Sequence, residues 1–276
     1  MLANEMTFGV EIETHMPAGS VCPGSHGYGR QVDWLPAGWL ADEDPSIVVP
    51  NYRRIKCEFV SPVLRGADGL RQLVAVINEI KRRGGKVNTS CGLHVHVGFD
   101  KSNTPAMRKL LNLVANHEKA LYAVTGTKNR EQGVGSRYRT CWCKSIKQYG
   151  SAAAATVTAS RDRYHLLNIA TGVKPTVEFR VFGASLNAVK TVAYVRLCTG
   201  LVEKALTPTI TASWNKRGTP TSTAGVKEVA RLFARLGWNK AANQNGAIVG
   251  EGLSTMRASR IMLARLAAKY DAQNNG

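Results

Sequence analysis

Four short segments of the chain alternate apolar and polar residues with a period of two, which is the pattern of a β-strand buried on one face. They span residues 8–13, 55–60, 93–99 and 177–182. Successive side chains of a strand point to opposite faces, so the apolar members require a core and the polar members share the other face. The sequence therefore predicts a sheet that packs on one side and presents polar side chains on the other.

Most of the polar residues in these segments are carboxylates or imidazoles: Glu11, Glu13, Glu58, His94, His96 and Glu178. Arg180 lies on the same face of the last segment. One Glu-x-Glu or His-x-His pair is ordinary on a solvated strand, but four strands of one sheet would bring all these groups onto one surface. Clustered carboxylates repel one another unless cations neutralise them. Because the set is rich in oxygen and holds few imidazoles, it predicts Mg²⁺ or Mn²⁺ rather than zinc.

The chain as a whole is strongly basic, with 37 lysines and arginines against 19 acids, a net charge of +18. This excess predicts an anionic partner: a nucleoside triphosphate, a nucleic acid, a polyanionic substrate or an acidic protein. Several arginines lie close in sequence to the predicted polar face: Arg161 and Arg163 upstream of the last strand, and Arg137 and Arg139 in a glycine-rich loop. Guanidinium groups beside metal ions suit the transfer of a phosphoryl group.

Helical periodicity separates and follows the strands. Apolar residues recur at three- and four-residue spacing in 70–80, 104–121, 187–206, 226–236 and 253–270, with Thr104 expected as an N-cap. The alanine-rich run 151–160 fits either a loop or a helix start. We expect an α+β fold, a single domain over residues 1–276 whose last ninety or so residues are mainly helical.

The chain has no charge-free apolar run of 18 residues, so no membrane span is expected. It begins with Glu5, Glu11 and Glu13 where a secretory leader would have basic residues and then an apolar run, and we therefore expect a cytoplasmic protein. The six cysteines lack C-x2-C spacing, so reduced thiols are expected.

Four motifs occur in order along the chain: FGVEIE at 8–13, EFVSP at 58–62, SCGLHVHVG at 90–98 and TVEFRVF at 176–182. Together they resemble the amidoligase family, a group of carboxylate-amine ligases related to glutamine synthetase and glutamate-cysteine ligase. Segments 44–46, 137–143 and 164–168 support the resemblance, which covers about residues 8–185. Two features depart from it: Pro45 stands where the family usually has glycine, and the family does not predict the basic charge.

The resemblance implies a glutamine-synthetase-like fold, a curved and mostly antiparallel sheet with helices on its convex face and the active site on its concave face. It also implies an ATP- and Mg²⁺-dependent ligase that forms an amide through an acyl phosphate. By analogy, one metal is held by Glu11, His94 and Glu178, and a second by Glu13 and Glu58. His96 would contact phosphate, Arg180 would steady the acyl phosphate, and Arg163 and Arg137 would assist, Arg137 at the nucleotide.

The residues themselves leave other functions open. A metal-dependent nuclease or phosphohydrolase acting on nucleic acid would also use carboxylates, histidines and a cationic surface. It leaves the Glu178-x-Arg180 pair and the order of the motifs unexplained. A basic binding protein without activity does not explain the matched glutamates. The carboxylate substrate, which the charge suggests is polyanionic (a peptide, polyglutamate or nucleic acid), the amine and the oligomeric state stay open.

Overall fold

The computed structural model describes residues 5–132, 142–209, 213, 224–239 and 254–273. Its strands form one sheet in the order β2-β3-β1-β5-β7-β6, with β4 paired to β1, and every pairing between these strands is antiparallel. The strands are β1 (Thr7–Pro17), β2 (Leu40–Asp42), β3 (Arg54–Val60), β4 (Leu64–Arg65), β5 (Gly92–Gly98), β6 (Leu167–Asn168) and β7 (Thr176–Gly183). The four predicted strands are confirmed, and they are the four neighbours at the centre of the sheet.

The helices follow the predicted periodicity. They are α1 (Gly66–Arg82), α2 (Thr104–Asn116), α3 (Glu118–Ala123), α4 (Asn129–Gln132), α5 (Ala152–Ala159), α6 (Ala188–Leu206), α7 (Gly225–Leu236) and α8 (Met256–Ala272). The alanine-rich run is the helix α5. The predicted α+β class, the antiparallel sheet and the mainly helical C-terminal part are confirmed.

Two details of the helix prediction are wrong. The N-cap of α2 is Asn103, whose side chain accepts a hydrogen bond from the Ala106 backbone N–H, because Thr104 already has helical geometry. The predicted single helix 104–121 is two helices, because the chain leaves helical geometry at His117.

The core lies between one face of the sheet and the helices. Tyr194 of α6 stacks on Phe182 of β7 with ring centroids 4.1 Å apart, and the Gly69 Cα of α1 lies against Leu64 and Phe8. Helix α6 is buried along most of its length, so it is a central helix rather than an amphipathic surface helix. The opposite face of the sheet is left free to carry the polar side chains. In the described part of the chain, the helices are too short or too polar to serve as membrane spans.

Candidate active site

The register of the central strands brings the predicted polar residues together. Glu11 of β1 lies opposite His94 of β5, and Glu13 lies opposite Glu58 of β3. His96 lies opposite Glu178 of β7. Side chains opposite one another on an antiparallel pair have Cβ atoms about 5 Å apart, so the two side chains of each pair are neighbours. The four strands therefore bring their polar residues to one surface.

The imidazoles of β5 bind the carboxylates on either side. His94 Nδ1 lies 3.0 Å from Glu11 Oε2 and 3.5 Å from Glu178 Oε1, and its Nε2 lies 3.6 Å from Glu13 Oε1. His96 Nε2 lies 3.1 Å from Glu11 Oε1, at an angle that is unfavourable for a hydrogen bond. One histidine thus contacts three of the four carboxylates predicted on the central strands.

An irregular pairing between β5 and β7 places Arg180 at the site. Leu93 pairs with Phe182 and Val95 with Phe179, so two residues of β7, Arg180 and Val181, lie against the single residue His94. Such a bulge redirects the side chain of the longer strand. The Arg180 guanidinium is buried and pairs with Glu178 Oε1, while Asn168 Nδ2 donates to Glu178 Oε2 at 2.6 Å.

A second carboxylate group lies towards the β2 edge. Glu13, Glu58 and Asp44 have oxygen atoms within 4.8 Å of one another, and Glu13 also accepts a hydrogen bond of 2.6 Å from the Gly92 N–H. Asp44 belongs to the loop after β2 and hydrogen-bonds the Ser46 N–H at 2.7 Å. This loop adds an acid that the strand pattern does not contain.

The pKa values of the carboxyls separate according to their neighbours. Burial by itself would raise the pKa of Glu11, but the contacts from His94 and His96 hold it well below its usual value. Burial likewise opposes ionisation of Glu178, yet the charges of His94 and Arg180 lower its pKa. Burial and the charges of Glu11 and Glu13 raise the pKa of Glu58 to about 9. Glu58 is therefore the carboxyl whose ionisation needs an added cation.

The donor set fits a hard divalent cation. Three groups each have three ligand atoms within 4.8 Å: Glu11, Glu58 and His94; Glu11, His96 and Glu178; and Glu13, Asp44 and Glu58. Carboxylate oxygens with a single imidazole are typical of Mg²⁺ and Mn²⁺ sites. A cation in the third group would also balance the repulsion that keeps Glu58 protonated.

The cluster forms the floor of a cavity of about 860 Å³. At the β2 and β3 end the cavity is lined by the acids Asp42, Asp44 and Glu58. At the β7 and β6 end it is lined by cations and by two aromatic rings. They are Arg130, Arg163, Lys174, Arg180, Trp142 and Tyr164. The cavity is therefore polarised from an acidic end to a cationic end.

The structure places the sequence-predicted site residues in different parts of the site. Glu11, Glu13, Glu58, His94 and Arg180 line the cavity. His96, which contacts Glu11, and Glu178, which has a carboxylate oxygen within 4.8 Å of a Glu11 oxygen, are not among the described residues that line it. Arg163 is exposed at the rim, with its guanidinium 5.9 Å from the ring centre of Tyr164. Arg137 lies outside the described residues.

Several residues that line the cavity are not among the predicted ligands and catalytic residues, and two of them, Asp44 and Arg130, lie close to the carboxylate cluster. Asp44 was noted only within a supporting segment, and Arg130 carries no strand or motif signal. Arg130 belongs to the four-residue helix α4, and its guanidinium donates to the Cys91 carbonyl at 2.8 Å. An added Cβ on Gly92 would lie 3.3 Å from Arg130 Nη2 and 3.1 Å from both Glu13 Oε1 and His94 Nε2. Arg130 thus reaches the same small space as the cluster.

Two solved structures are similar to this chain at low sequence identity. They are a bifunctional glutathione synthetase from Pasteurella multocida, at 14% identity and a TM-score of 0.40, and the complex between the prokaryotic ubiquitin-like protein Pup and its ligase PafA, at 11% identity and a TM-score of 0.48. The matches cover 99% of this chain but 52% and 66% of those chains, so this chain spans about half of the first and just under two thirds of the second.

No curated protein sequence matches the chain significantly. The sequence profile of the family described as "Putative amidoligase enzyme" matches residues 20–202. The matched segment begins after Glu11 and Glu13 and contains Glu58, His94 and Glu178. It also extends beyond β7 into α6, so it covers the greater part of the sheet and of its central helix. The chain belongs to the amidoligase family.

Proposed function

We propose that this protein is an ATP- and Mg²⁺-dependent carboxylate-amine ligase that forms an amide or isopeptide bond through an acyl phosphate. One observation carries the proposal: buried carboxylates from three central strands form one cluster with two histidines and a buried arginine, and most members of this cluster line the polarised cavity. Family membership supports amide-bond formation, and the donor set supports the divalent cation.

The proposed reaction has two displacements. An oxygen of the substrate carboxylate attacks the terminal phosphorus of ATP and ADP leaves. The amine nitrogen then attacks the acyl carbon, phosphate leaves, and the nitrogen loses a proton. Holding both reactants in one cavity lowers the entropic cost of each step.

Bound Mg²⁺ would neutralise the phosphate oxygens during the transfer. Glu11, Glu178 and one of the β5 histidines would hold one ion, and Glu13, Glu58 and Asp44 a second. Compared with the ligand sets implied by the family resemblance, Asp44 is an addition to the second site. In the first, His96 and His94 are both within reach.

The side chains at the cationic end of the cavity suit the nucleotide. Arg180 is held by Glu178 at the boundary between the carboxylates and the cations, where it would stabilise charge on the transferred phosphoryl group. Arg163 and Lys174 at the rim would attract the triphosphate. The family resemblance proposes the same role for Arg137.

The first experiment is calorimetric titration of ATP into the protein with and without Mg²⁺, with Glu178→Gln and a control variant, Glu43→Gln, whose exposed carboxylate lies outside the cavity lining. We expect Mg²⁺-dependent binding that Glu178→Gln weakens at least about 30-fold and Glu43→Gln leaves unchanged. ATP binding that ignores both Mg²⁺ and Glu178→Gln would contradict the proposal.

The second experiment measures phosphate release from ATP in the presence of pairs of carboxylates and amines, including polyglutamate and acidic peptides. A ligase releases phosphate only when both substrates are present. Cleavage of DNA or RNA without ATP would instead support a nuclease. Binding of nucleic acid that weakens steeply with salt would only report the +18 charge of the chain.

A further inference from the structure

The C-terminal helix α8 lies beyond the segment that matches the family, yet it contacts the part of the chain that carries Arg130. Two contacts link them. The Gln273 side chain, just after α8, accepts a hydrogen bond of 3.1 Å from the Lys128 backbone N–H. The Tyr270 hydroxyl donates to the carboxylate of Glu131. Arg130 is thus flanked on both sides by residues tied to the end of α8.

Tyr270 is a buried residue whose hydroxyl joins two charged side chains. Besides donating to Glu131, it accepts a hydrogen bond of 2.5 Å from Lys119 Nζ, which also lies 3.4 Å from Glu131 Oε1. The ring carries the Lys119 ammonium 4.6 Å from its centre. These contacts connect α8, α3 and α4 through one tyrosine.

The orientation of helix α4 is not fixed by its own backbone hydrogen bonds. Four residues form about one helical turn, and one isolated turn costs more backbone entropy than its hydrogen bond returns. The direction of the Arg130 side chain therefore depends on tertiary contacts. These contacts include those with α8, the Cys143 thiol 2.9 Å from the Arg130 carbonyl, and the hydrogen bond from the guanidinium to the Cys91 carbonyl.

Arg130 has a position suited to an anionic group. It lines the cavity, and a space beside Gly92 lies between its Nη2 and the side chains of Glu13 and His94. This space is little wider than one atom. A guanidinium presents a planar fork of N–H donors that matches the two oxygens of a carboxylate or phosphate. Its place beside the carboxylate cluster sets it where a metal-bound oxyanion would lie.

We propose that Arg130 binds a substrate oxyanion in the cavity and that Tyr270 is a positioning residue that holds Arg130 in place from the C-terminal helix. The inference rests on the proposed function, since it needs an oxyanion in this cavity. It assigns a role to α8 that lies outside the family match. Carboxylate and phosphate share the required chemistry, and the test separates them.

The test is a double-mutant cycle with Arg130→Gln, Tyr270→Phe and the double variant, read by calorimetric titration with two probes, MgATP and L-glutamate. Arg130→Gln should weaken one probe about 10- to 100-fold, the size of a lost charge-assisted hydrogen bond. Tyr270→Phe should weaken the same probe about 3- to 10-fold. The double variant should bind like Arg130→Gln alone, because Tyr270 acts only through Arg130.

Matched variants separate positioning from general stability. Thr199→Val also removes a buried hydroxyl, which donates to the Val195 carbonyl at 3.0 Å, and should leave the affinity unchanged. Glu131→Ala should reproduce Tyr270→Phe, whereas Glu131→Gln keeps an acceptor for the hydroxyl and should restore most of the affinity. These two variants carry the test if Tyr270→Phe does not fold.

The outcomes are distinct. If Arg130→Gln loses affinity only for MgATP, Arg130 binds phosphate. If it loses affinity only for L-glutamate, Arg130 binds the substrate carboxylate. Additive losses in the double variant, full affinity in Tyr270→Phe, or no effect of Arg130→Gln on either probe would overturn the inference alone. Wild-type protein that binds no MgATP would overturn the proposed function, and the inference with it.

Discussion

Replacing Glu58 with glutamine should stabilise the metal-free protein at neutral pH, although it removes a carboxyl group from the candidate active site. Burial of the Glu58 carboxyl, together with the charges of Glu11, Glu13 and Asp44, raises its pKa to about 9 from an ordinary value of 4.5. Between these two pH values the folded protein keeps a proton that the unfolded chain has lost. Stability therefore falls as the pH rises from about 4.5 to about 9.

The size of the effect follows from the same two values. Each pH unit within this window lowers the free energy of unfolding by about 1.4 kcal/mol. At pH 7 the wild-type protein has therefore lost about 3 kcal/mol of this free energy, a loss that a neutral glutamine does not cause. For a chain of this length, that difference corresponds to about 5–10 °C in Tm. Bound Mg²⁺ stabilises the ionised carboxyl, so it should reverse the order of the two proteins.

The assay is thermal unfolding of wild type, Glu58→Gln and Glu43→Gln between pH 5 and 8, once in EDTA and once in excess Mg²⁺. In EDTA the Tm of wild type should fall with pH more steeply than that of Glu58→Gln, and Glu43→Gln should follow wild type. A Glu58→Gln protein with the wild-type pH slope in EDTA, or with a lower Tm at pH 7, would refute the reasoning. A difference that persists unchanged in Mg²⁺ would refute the assignment of Glu58 to a cation site.

Three further predictions concern separate parts of the structure. Gly92→Ala should weaken Mg²⁺ binding at least about 10-fold in calorimetry because its methyl group would lie 3.1 Å from both Glu13 and His94, whereas Gly183→Ala, with its nearest neighbours 4.0 Å away, should bind normally. If the carboxylates form two cation sites, electron paramagnetic resonance should count two Mn²⁺ ions on wild type and one on either Glu13→Gln or Glu178→Gln; an unchanged count speaks against two sites. Burial and the charge of Arg231 lower the pKa of His117 to about 3, so the free energy of unfolding should fall as the pH drops from 6.5 towards 3, by about 2 kcal/mol at pH 5. In an acid titration, His117→Gln should lose less stability than wild type. An equal loss in both proteins would contradict this origin.

The sheet was largely predictable because its central strands obey a simple rule. Each central strand presents apolar side chains to one face of the sheet, so the period of two in the sequence marks both the strand and the face on which Glu11, His94 or Glu178 lies. The limits of the helices were less accessible. The cap at Asn103 and the break at His117 depend on local backbone geometry that apolar spacing does not record.

The site residues on the central strands were predictable from the sequence, whereas the site residues on loops and on α4 were not. Asp44 follows an edge strand, and Arg130 lies on a single helical turn held by a helix about 140 residues later in the sequence. No periodic pattern marks such residues, because their positions are set by contacts between distant segments. The grouping of the carboxylates also depends on strand order, which places β3 and β7 on opposite sides of β1 and β5.

The sequence by itself determined which side chains share the polar face, because strand alternation is a local property of the backbone. It also determined the family resemblance and the preference for a hard cation, since both depend on residue types and their order. Only the tertiary structure decided which carboxyl has a raised pKa, how the cavity is polarised, and that α8 contacts the residues on either side of Arg130. These are consequences of distance and burial, and both arise when segments far apart in the chain pack against one another.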